Sequence, residues 1–144
     1  MEQNWYQFIQ SEFEVEERDI RTYSPLTLAY IGDGVFDLVI RSVVVGNGNT
    51  SPNNLHKHTS QIVKAATQAA MVDALEDVLT EEEADVYRRG RNAKSHSVAK
   101  NASVGDYRKA TGFEALIGYL YLNNQVERIV ELVKVAVAKC KVDL

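Results

Sequence analysis

Two acidic residues stand in stretches of this chain that otherwise read as buried helix. Asp33 lies within Leu28-Ala-Tyr-Ile-Gly-Asp-Gly-Val-Phe-Asp37, and Glu114 within Phe113-Glu-Ala-Leu-Ile-Gly-Tyr-Leu-Tyr-Leu122. An unpaired charge near a core is expensive, so a carboxylate in such a place has a partner. The simplest partner that two carboxylates can share is a hard cation, and a hard cation points toward phosphate chemistry. Gly32 and Gly34 flank Asp33, although a glycine inside a helix costs about 1 kcal/mol relative to alanine. Glycines on both sides of an acid predict close approach by another backbone or by a ligand. Gly118 lies one turn after Glu114 and predicts open space over that acid. Two such carboxylates on facing helices could hold a divalent ion. Mg2+ suits them best, because it takes oxygen ligands and keeps waters that a substrate phosphate can replace. Spacing alone leaves an alternative open: core carboxylates bonded to helix N-termini give a similar pattern.

Tyr30, Asp33, Asp37 and Arg41 form one line along their helix, beside an apolar stripe at positions 28, 32, 35, 36, 39 and 43. Asp37 and Arg41 read as an ordinary ion pair one turn apart. In the second stretch Phe113, Leu116, Ile117 and Leu120 form the core stripe. His56 and His58 find no convincing third ligand for a metal.

The elements that must carry these residues are helical. Trp5, Phe8, Ile9 and Phe13 mark a helix over 3–14. Ser24-Pro25 is a cap followed by a first-turn proline, opening a helix that runs to about 45, where Gly46-Asn-Gly-Asn stops it. Ser51-Pro52 repeats the signal for a helix to about 79 with room for a break, and Thr80-Glu-Glu-Glu83 is a capping box for a helix to about 89. Residues 90–104 read as a polar, basic loop. Helices over 104–122 and 124–140 follow, split by Asn123-Asn124. There is no alternating strand pattern and no repeat, so the fold class is all-α.

At 144 residues, 45% hydrophobic and 25% charged, the chain is expected to fold as one domain with a real core. Cys140 is the only cysteine, so an internal disulfide is excluded and a reducing compartment fits. The N-terminus lacks the basic start and apolar run of a signal peptide, and no apolar stretch reaches the roughly 20 residues of a membrane span. A cytoplasmic location is the expectation. The net charge of −4 argues against nucleic acid, but its distribution does not. Residues 1–20 hold six acids and one arginine, and residues 76–85 six acids and no base. Residues 87–109 hold seven Lys or Arg against the single acid Asp106. A basic stripe on an acidic protein can be a phosphate footprint or a solvated loop.

The stretches Ile31-Gly-Asp-Gly-Val-Phe36 and Phe113-Glu-Ala-Leu-Ile-Gly-Tyr-Leu-Tyr-Leu122 resemble the two signatures of the ribonuclease III nuclease domain. The likeness is stronger to the bacterial mini-ribonuclease III branch. Ser51-Pro-Asn-Asn-Leu-His-Lys57, Glu81-Glu-Glu83, Arg89-Gly-Arg-Asn-Ala-Lys-Ser95 and Lys100-Asn101 are similar to that branch in the same order. The resemblance spans about residues 24–139. It implies a ribonuclease III-like helical nuclease domain over 21–144, with residues 1–20 as an N-terminal helical extension. The acidic extension is expected to pack on the domain or dimer edge and not on RNA.

The resemblance further implies a homodimeric, Mg2+-dependent endonuclease for double-stranded RNA, leaving 5′-phosphate and 3′-hydroxyl ends. The substrate implied is precursor 23S ribosomal RNA, trimmed at its paired ends; ribosomal proteins are a further partner class. Asp33 and Glu114 are the implied catalytic and metal-binding pair, with Asp37 and Asp106 as reserve acids. Arg89, Arg91, Asn92, Lys94, Ser95 and Lys100 are the implied RNA-binding set, with Gly90 letting their loop turn past the RNA backbone. Tyr107, Tyr119 and Tyr121 read as core or dimer contacts. Full-length ribonuclease III carries acids at the positions that are Ala29 and Thr111 here. Their absence, which the mini branch shares, leaves two of four carboxylates and keeps a second reading in view: a non-catalytic module that binds double-stranded RNA or the ribosome. A helical interaction protein using its acidic face is a third.

Overall fold

The structure of the protein, a computed structural model, describes residues 4–94 and 103–144. Among them are seven α-helices: α1 (Trp5–Glu12), α2 (Pro25–Asn47), α3 (Pro52–Val63), α4 (Ala65–Ala74), α5 (Glu81–Asn92), α6 (Val104–Leu122) and α7 (Val126–Cys140). A 3-10 turn, Ile20–Thr22, precedes α2. The described residues contain no strand, and the all-α expectation holds. Among them, no helix is long and apolar enough to cross a membrane.

Local chemistry explains where helices start. Ser24 Oγ accepts from Thr27 N at 3.2 Å and Ser51 Oγ from Asn54 N at 3.2 Å, each ahead of a first-turn proline. Thr80 and Glu83 form the expected reciprocal box, at 2.9 and 3.1 Å. Ser103 caps α6 through Asp106 N at 3.0 Å.

The central element is α6, which packs against α2, α4, α5 and α7. Its residues 110–121 are buried, Glu114 excepted. Phe113, Leu116, Ile117 and Leu120 are fully enclosed, as their spacing predicts. On α2 the buried face is Leu28, Ala29, Gly32, Phe36, Ile40 and Val44. Ile40 and Val44, rather than Val39 and Val43, continue the stripe, because four-residue steps from Phe36 stay over α6. Phe36 and Phe113 meet edge to face, 5.3 Å between ring centres, beside the two acids.

The break allowed for after Ser51 is present, and two helix ends differ from expectation: α4 stops at Ala74, not near 79, and α5 runs on. The long helix after Ser51 breaks at Lys64, whose extended backbone (ψ 156°) separates α3 from α4. And α5 continues past Arg89 to Asn92. Gly90 is buried inside it, where a Cβ would meet Ala115 Cβ at 2.7 Å and Gly112 Cα at 2.9 Å. Gly90 is thus a helix-packing contact, not a loop hinge.

α1 rests on the body through Tyr6, whose ring lies 5.1 Å from that of Tyr121, and through Asn4, which donates to Asn124 Oδ1 at 2.6 Å. Trp5, Phe8 and Phe13 remain exposed. Tyr119 and Tyr121 are core residues.

Candidate active site

Asp33 and Glu114 meet where α2 crosses α6. The crossing is close because each helix carries a glycine at the contact. A Cβ on Gly32 would overlap the Glu114 carbonyl oxygen and stand 2.7 Å from Gly118 N. A Cβ on Gly118 would overlap the Leu28 carbonyl oxygen and stand 2.8 Å from its carbon. The backbone approach expected beside Asp33 is therefore real at Gly32. Gly34 faces open space. Gly118 does not clear room above Glu114, because the Leu28 backbone fills that room.

With residues 32 and 114 in backbone contact, the neighbouring side chains leave the crossing together. Asp33 is exposed, Glu114 is half-buried, and the two carboxyl groups are close enough for the Asp33 charge to act on Glu114. Burial, then the neighbouring Asp33 carboxylate, push the Glu114 carboxyl up to about 8, against an opposing pull from Gln68. Two carboxylates this close do not both ionise readily without a cation between them.

Asp37 stands one helical turn from Asp33 but is engaged by Arg41, and Asp106 lies farther off. Asp37 accepts from Arg41 Nε at 2.7 Å, the ion pair expected. Asp106 lies eight residues before Glu114, about 12 Å along the helix axis. Ala29 and Thr111 are both buried, and the Thr111 hydroxyl donates to the Tyr107 carbonyl at 3.0 Å. Among the described residues, no group of three or more His, Cys, Asp or Glu could hold a metal ion.

One neighbour has no counterpart in the sequence reading. Gln68 on α4 is buried, and its Nε2 lies 3.5 Å from Glu114 Oε2. Its Oε1 is buried without a hydrogen-bond partner. The only sequence signal is a polar amide set among the buried Ala69, Met71 and Val72. Two carboxyl groups, bordered by an amide whose oxygen is unpaired, offer a cation hard oxygen donors, which fits Mg2+.

The basic residues lie at the C-terminal end of α5. Arg89 and Asn92 on the helix and Lys94 just beyond it are exposed. Arg91 is half-buried over the Tyr87 ring, 5.6 Å from its centre. Packing of Gly90 on Gly112 and Ala115 brings this turn to the stretch of α6 that carries Glu114. Ser95 and Lys100 fall outside the described residues. His56 and Lys57 are exposed on α3.

Residues 26–125 match the family model of the Ribonuclease III domain. The chain is 48% identical over 125 residues to a protein of Clostridium tetani named Mini-ribonuclease 3, covering 86% of this chain and 83% of that one. It is 48% identical over 124 residues to the Mini-ribonuclease 3 of Enterococcus faecalis, covering 85% and 94%. With that of Thermoanaerobacter it shares 44% over 137 residues, covering 95% and 96%. A crystal structure of a Fusobacterium nucleatum protein superposes with a TM-score of 0.76 at 30% identity, over 84% of this chain and 98% of that one. The glycine-locked crossing that joins Asp33 to Glu114 lies within the matched span, and the chain belongs to the ribonuclease III family, in its mini-ribonuclease 3 branch.

Proposed function

We propose that this protein is a Mg2+-dependent endoribonuclease that cleaves double-stranded RNA at Asp33 and Glu114, leaving 5′-phosphate and 3′-hydroxyl ends. Family membership supports the coarse activity, an endoribonuclease for double-stranded RNA. The observation that carries the residue assignment is the close crossing at Gly32 and Gly118, which brings Asp33 to Glu114, with burial and the Asp33 charge raising Glu114 to about 8. A pair that resists double ionisation by itself is poised to take up a divalent cation. When bound, the cation supplies polarisation of the phosphodiester and activation of water. Asp33 presents its carboxylate at the open face, where RNA can reach it. Glu114 gives up a proton as the site is loaded, and Phe36 and Phe113 fix the helices that hold both acids.

The end of α5 supplies the complementary charge. Arg89, Arg91, Asn92 and Lys94, joined by Ser95 and Lys100, meet the phosphates and 2′-hydroxyls of an A-form duplex, which is recognised by shape and charge. A two-fold homodimer would present one centre to each strand of the duplex. Leu26, Tyr30 and Leu38 leave apolar surface exposed on α2, beside Asp33, as such a contact requires. The nuclease domain is residues 21–144 and the extension 1–20. The substrate is precursor 23S ribosomal RNA at its paired ends.

Duplex RNA is incubated with the full chain in Mg2+ and in chelator, beside an Asp33→Asn variant. Cleavage is expected only for the wild type in Mg2+, with duplex binding kept by the variant. Uncleaved but bound duplex across all Mg2+ concentrations would overturn the enzyme and favour the second reading, a non-catalytic duplex-binding module. The buried Ala29 and Thr111, where carboxylates are lacking, are the observation behind that reading. Precursor 23S ribosomal RNA left with unprocessed ends would remove the substrate assignment alone, and a monomer by sedimentation the homodimer.

A further inference from the structure

Gln68 is an amide in a place that α4 otherwise gives to apolar residues. It is only 3% exposed, and Ala69, Met71 and Val72 beside it are equally enclosed. Burial of an amide is unfavourable unless its donors and acceptor are all satisfied. The donors are accounted for. Nε2 donates to the Val63 carbonyl at 2.7 Å and faces Glu114 Oε2 at 3.5 Å. Oε1 is buried and has no partner.

The orientation of this amide is set by the chain break beside it. Lys64 leaves the helical conformation, so α3 ends at Val63 and carbonyls there lose their helical partners. Thr67 Oγ1 donates to the Gln61 carbonyl at 2.7 Å, Gln68 N to the Lys64 carbonyl at 3.0 Å, and Gln68 Nε2 takes the Val63 carbonyl. Flipping the amide would put Oε1 against that carbonyl, acceptor on acceptor. The break therefore holds Nε2 in place, 3.5 Å from Glu114 Oε2, and leaves Oε1 as the unused oxygen of an amide that borders the Glu114 carboxyl.

We propose that Gln68 Oε1 is the third protein oxygen for the divalent cation held by Asp33 and Glu114. This rests on the metal-centre reading above and adds a residue to it. An amide oxygen is a hard, neutral ligand of the kind such cations accept beside carboxylates. Two carboxylates and one amide balance the charge of a single divalent ion. The positions where full-length ribonuclease III carries further acids supply none here: Ala29 is apolar and the Thr111 hydroxyl is already bonded to Tyr107. A purely structural role, pinning α3 to α4, accounts for Nε2 but leaves Oε1 without a reason to be polar.

Mn2+ binding to the full chain, without RNA, is measured by titration calorimetry for wild type, Gln68→Met and Gln68→Glu, with circular dichroism as the check on folding. Gln68→Met keeps the length of the side chain and removes the hard oxygen; its affinity is expected to fall about 10-fold or more. Gln68→Glu returns oxygen to the same place and is expected to bind more tightly than wild type. A folded Gln68→Met that binds Mn2+ as the wild type does would overturn the assignment and leave the metal centre standing. If Gln68→Met does not fold, Gln68→Glu decides, and no gain in affinity there overturns the assignment. A wild type that takes up no Mn2+ at all would remove the metal centre, and this residue with it.

Discussion

Gly32 of α2 and Gly118 of α6 interlock: each occupies the space in which a Cβ would strike a carbonyl of the opposite helix, Glu114 for Gly32 and Leu28 for Gly118. This reciprocal contact sets the distance between the helices, and the candidate site inherits that distance. Asp33 follows one glycine directly and Glu114 lies one turn before the other, so neither acid can move away without separating the two backbones.

The three glycines of this region should therefore respond differently to alanine. Gly32→Ala and Gly118→Ala force backbone apart, and each is expected to lose about 3 kcal/mol or more of stability, at the upper end for overpacking. Gly34→Ala meets nothing within 4 Å and is expected to gain up to about 1 kcal/mol from helix propensity. Urea unfolding of the three variants checks this. A loss at Gly34 as steep as that at Gly32 would mean that Gly34 is covered in the assembled protein.

Much of this architecture was legible because the signals were local. Ser24-Pro25, Ser51-Pro52 and the Thr80–Glu83 box act within one turn, and each begins a helix where it should. The encounter of Asp33 with Glu114 was legible because both sit in apolar sequence with glycine nearby. What depends on distant partners is not legible locally. Val39, Ile40, Val43 and Val44 are all apolar, and only contact with α6 decides that Ile40 and Val44 turn inward. Gly90 in a basic stretch looks like a loop until Gly112, 22 residues on, is seen against it. Gln68 gave almost no signal, because its neighbours Val63 and Glu114 meet only through the Lys64 break and the central helix.

Arg128 offers a test of structure apart from function. Its Nε and Nη2 donate to the two oxygens of Glu83 at 2.8 Å each, Nη2 also reaches the Val78 carbonyl at 3.1 Å, and Nη1 reaches Glu131 at 3.0 Å. The Arg128 bonds are the main cause of the lowered Glu83 carboxyl pKa. Stability from the pair is thus present above the ordinary carboxylate pKa and lost as the pH falls through the lowered one. Arg128→Met keeps the apolar stem and is expected to lose about 2 kcal/mol at pH 7. Its cleavage rate at saturating Mg2+ and RNA should stay near wild type at temperatures where it is folded. A large drop in rate for folded protein would place Arg128 in the RNA contact.

The end of α5 should behave as a phosphate contact and not as a base reader. Arg91→Ala and Lys94→Ala are each expected to weaken duplex binding alike for different sequences. Each should also make the plot of log affinity against log salt shallower by about one phosphate contact. Arg88→Ala serves as the control, because Arg88 is paired with Asp85 on the same helix. Binding measured at several salt concentrations decides it. Unchanged slopes for Arg91→Ala and Lys94→Ala would move the RNA surface elsewhere.

The Glu114 carboxyl links folding, protons and metal in one measurement. In the folded chain it is raised from 4.5 to about 8, chiefly by burial and then by Asp33. The unfolded chain gives up that proton near the ordinary value, the folded chain only near 8. The stability this group contributes is complete below the ordinary value and is lost as the pH rises through about 8. A divalent cation should reverse the trend, because it takes the ionised pair and its binding releases the proton. In chelator, the unfolding temperature of the wild type relative to Glu114→Gln is expected to fall between pH 6 and pH 8. Added Mg2+ should raise the wild-type value at pH 8 more than at pH 6, and should leave Glu114→Gln nearly unmoved at both. Thermal melts in the two buffers, with and without Mg2+, give all of these comparisons. A wild type that tracks Glu114→Gln across this range in chelator would show that Glu114 ionises as an ordinary surface acid, and a cation between it and Asp33 would have no electrostatic basis.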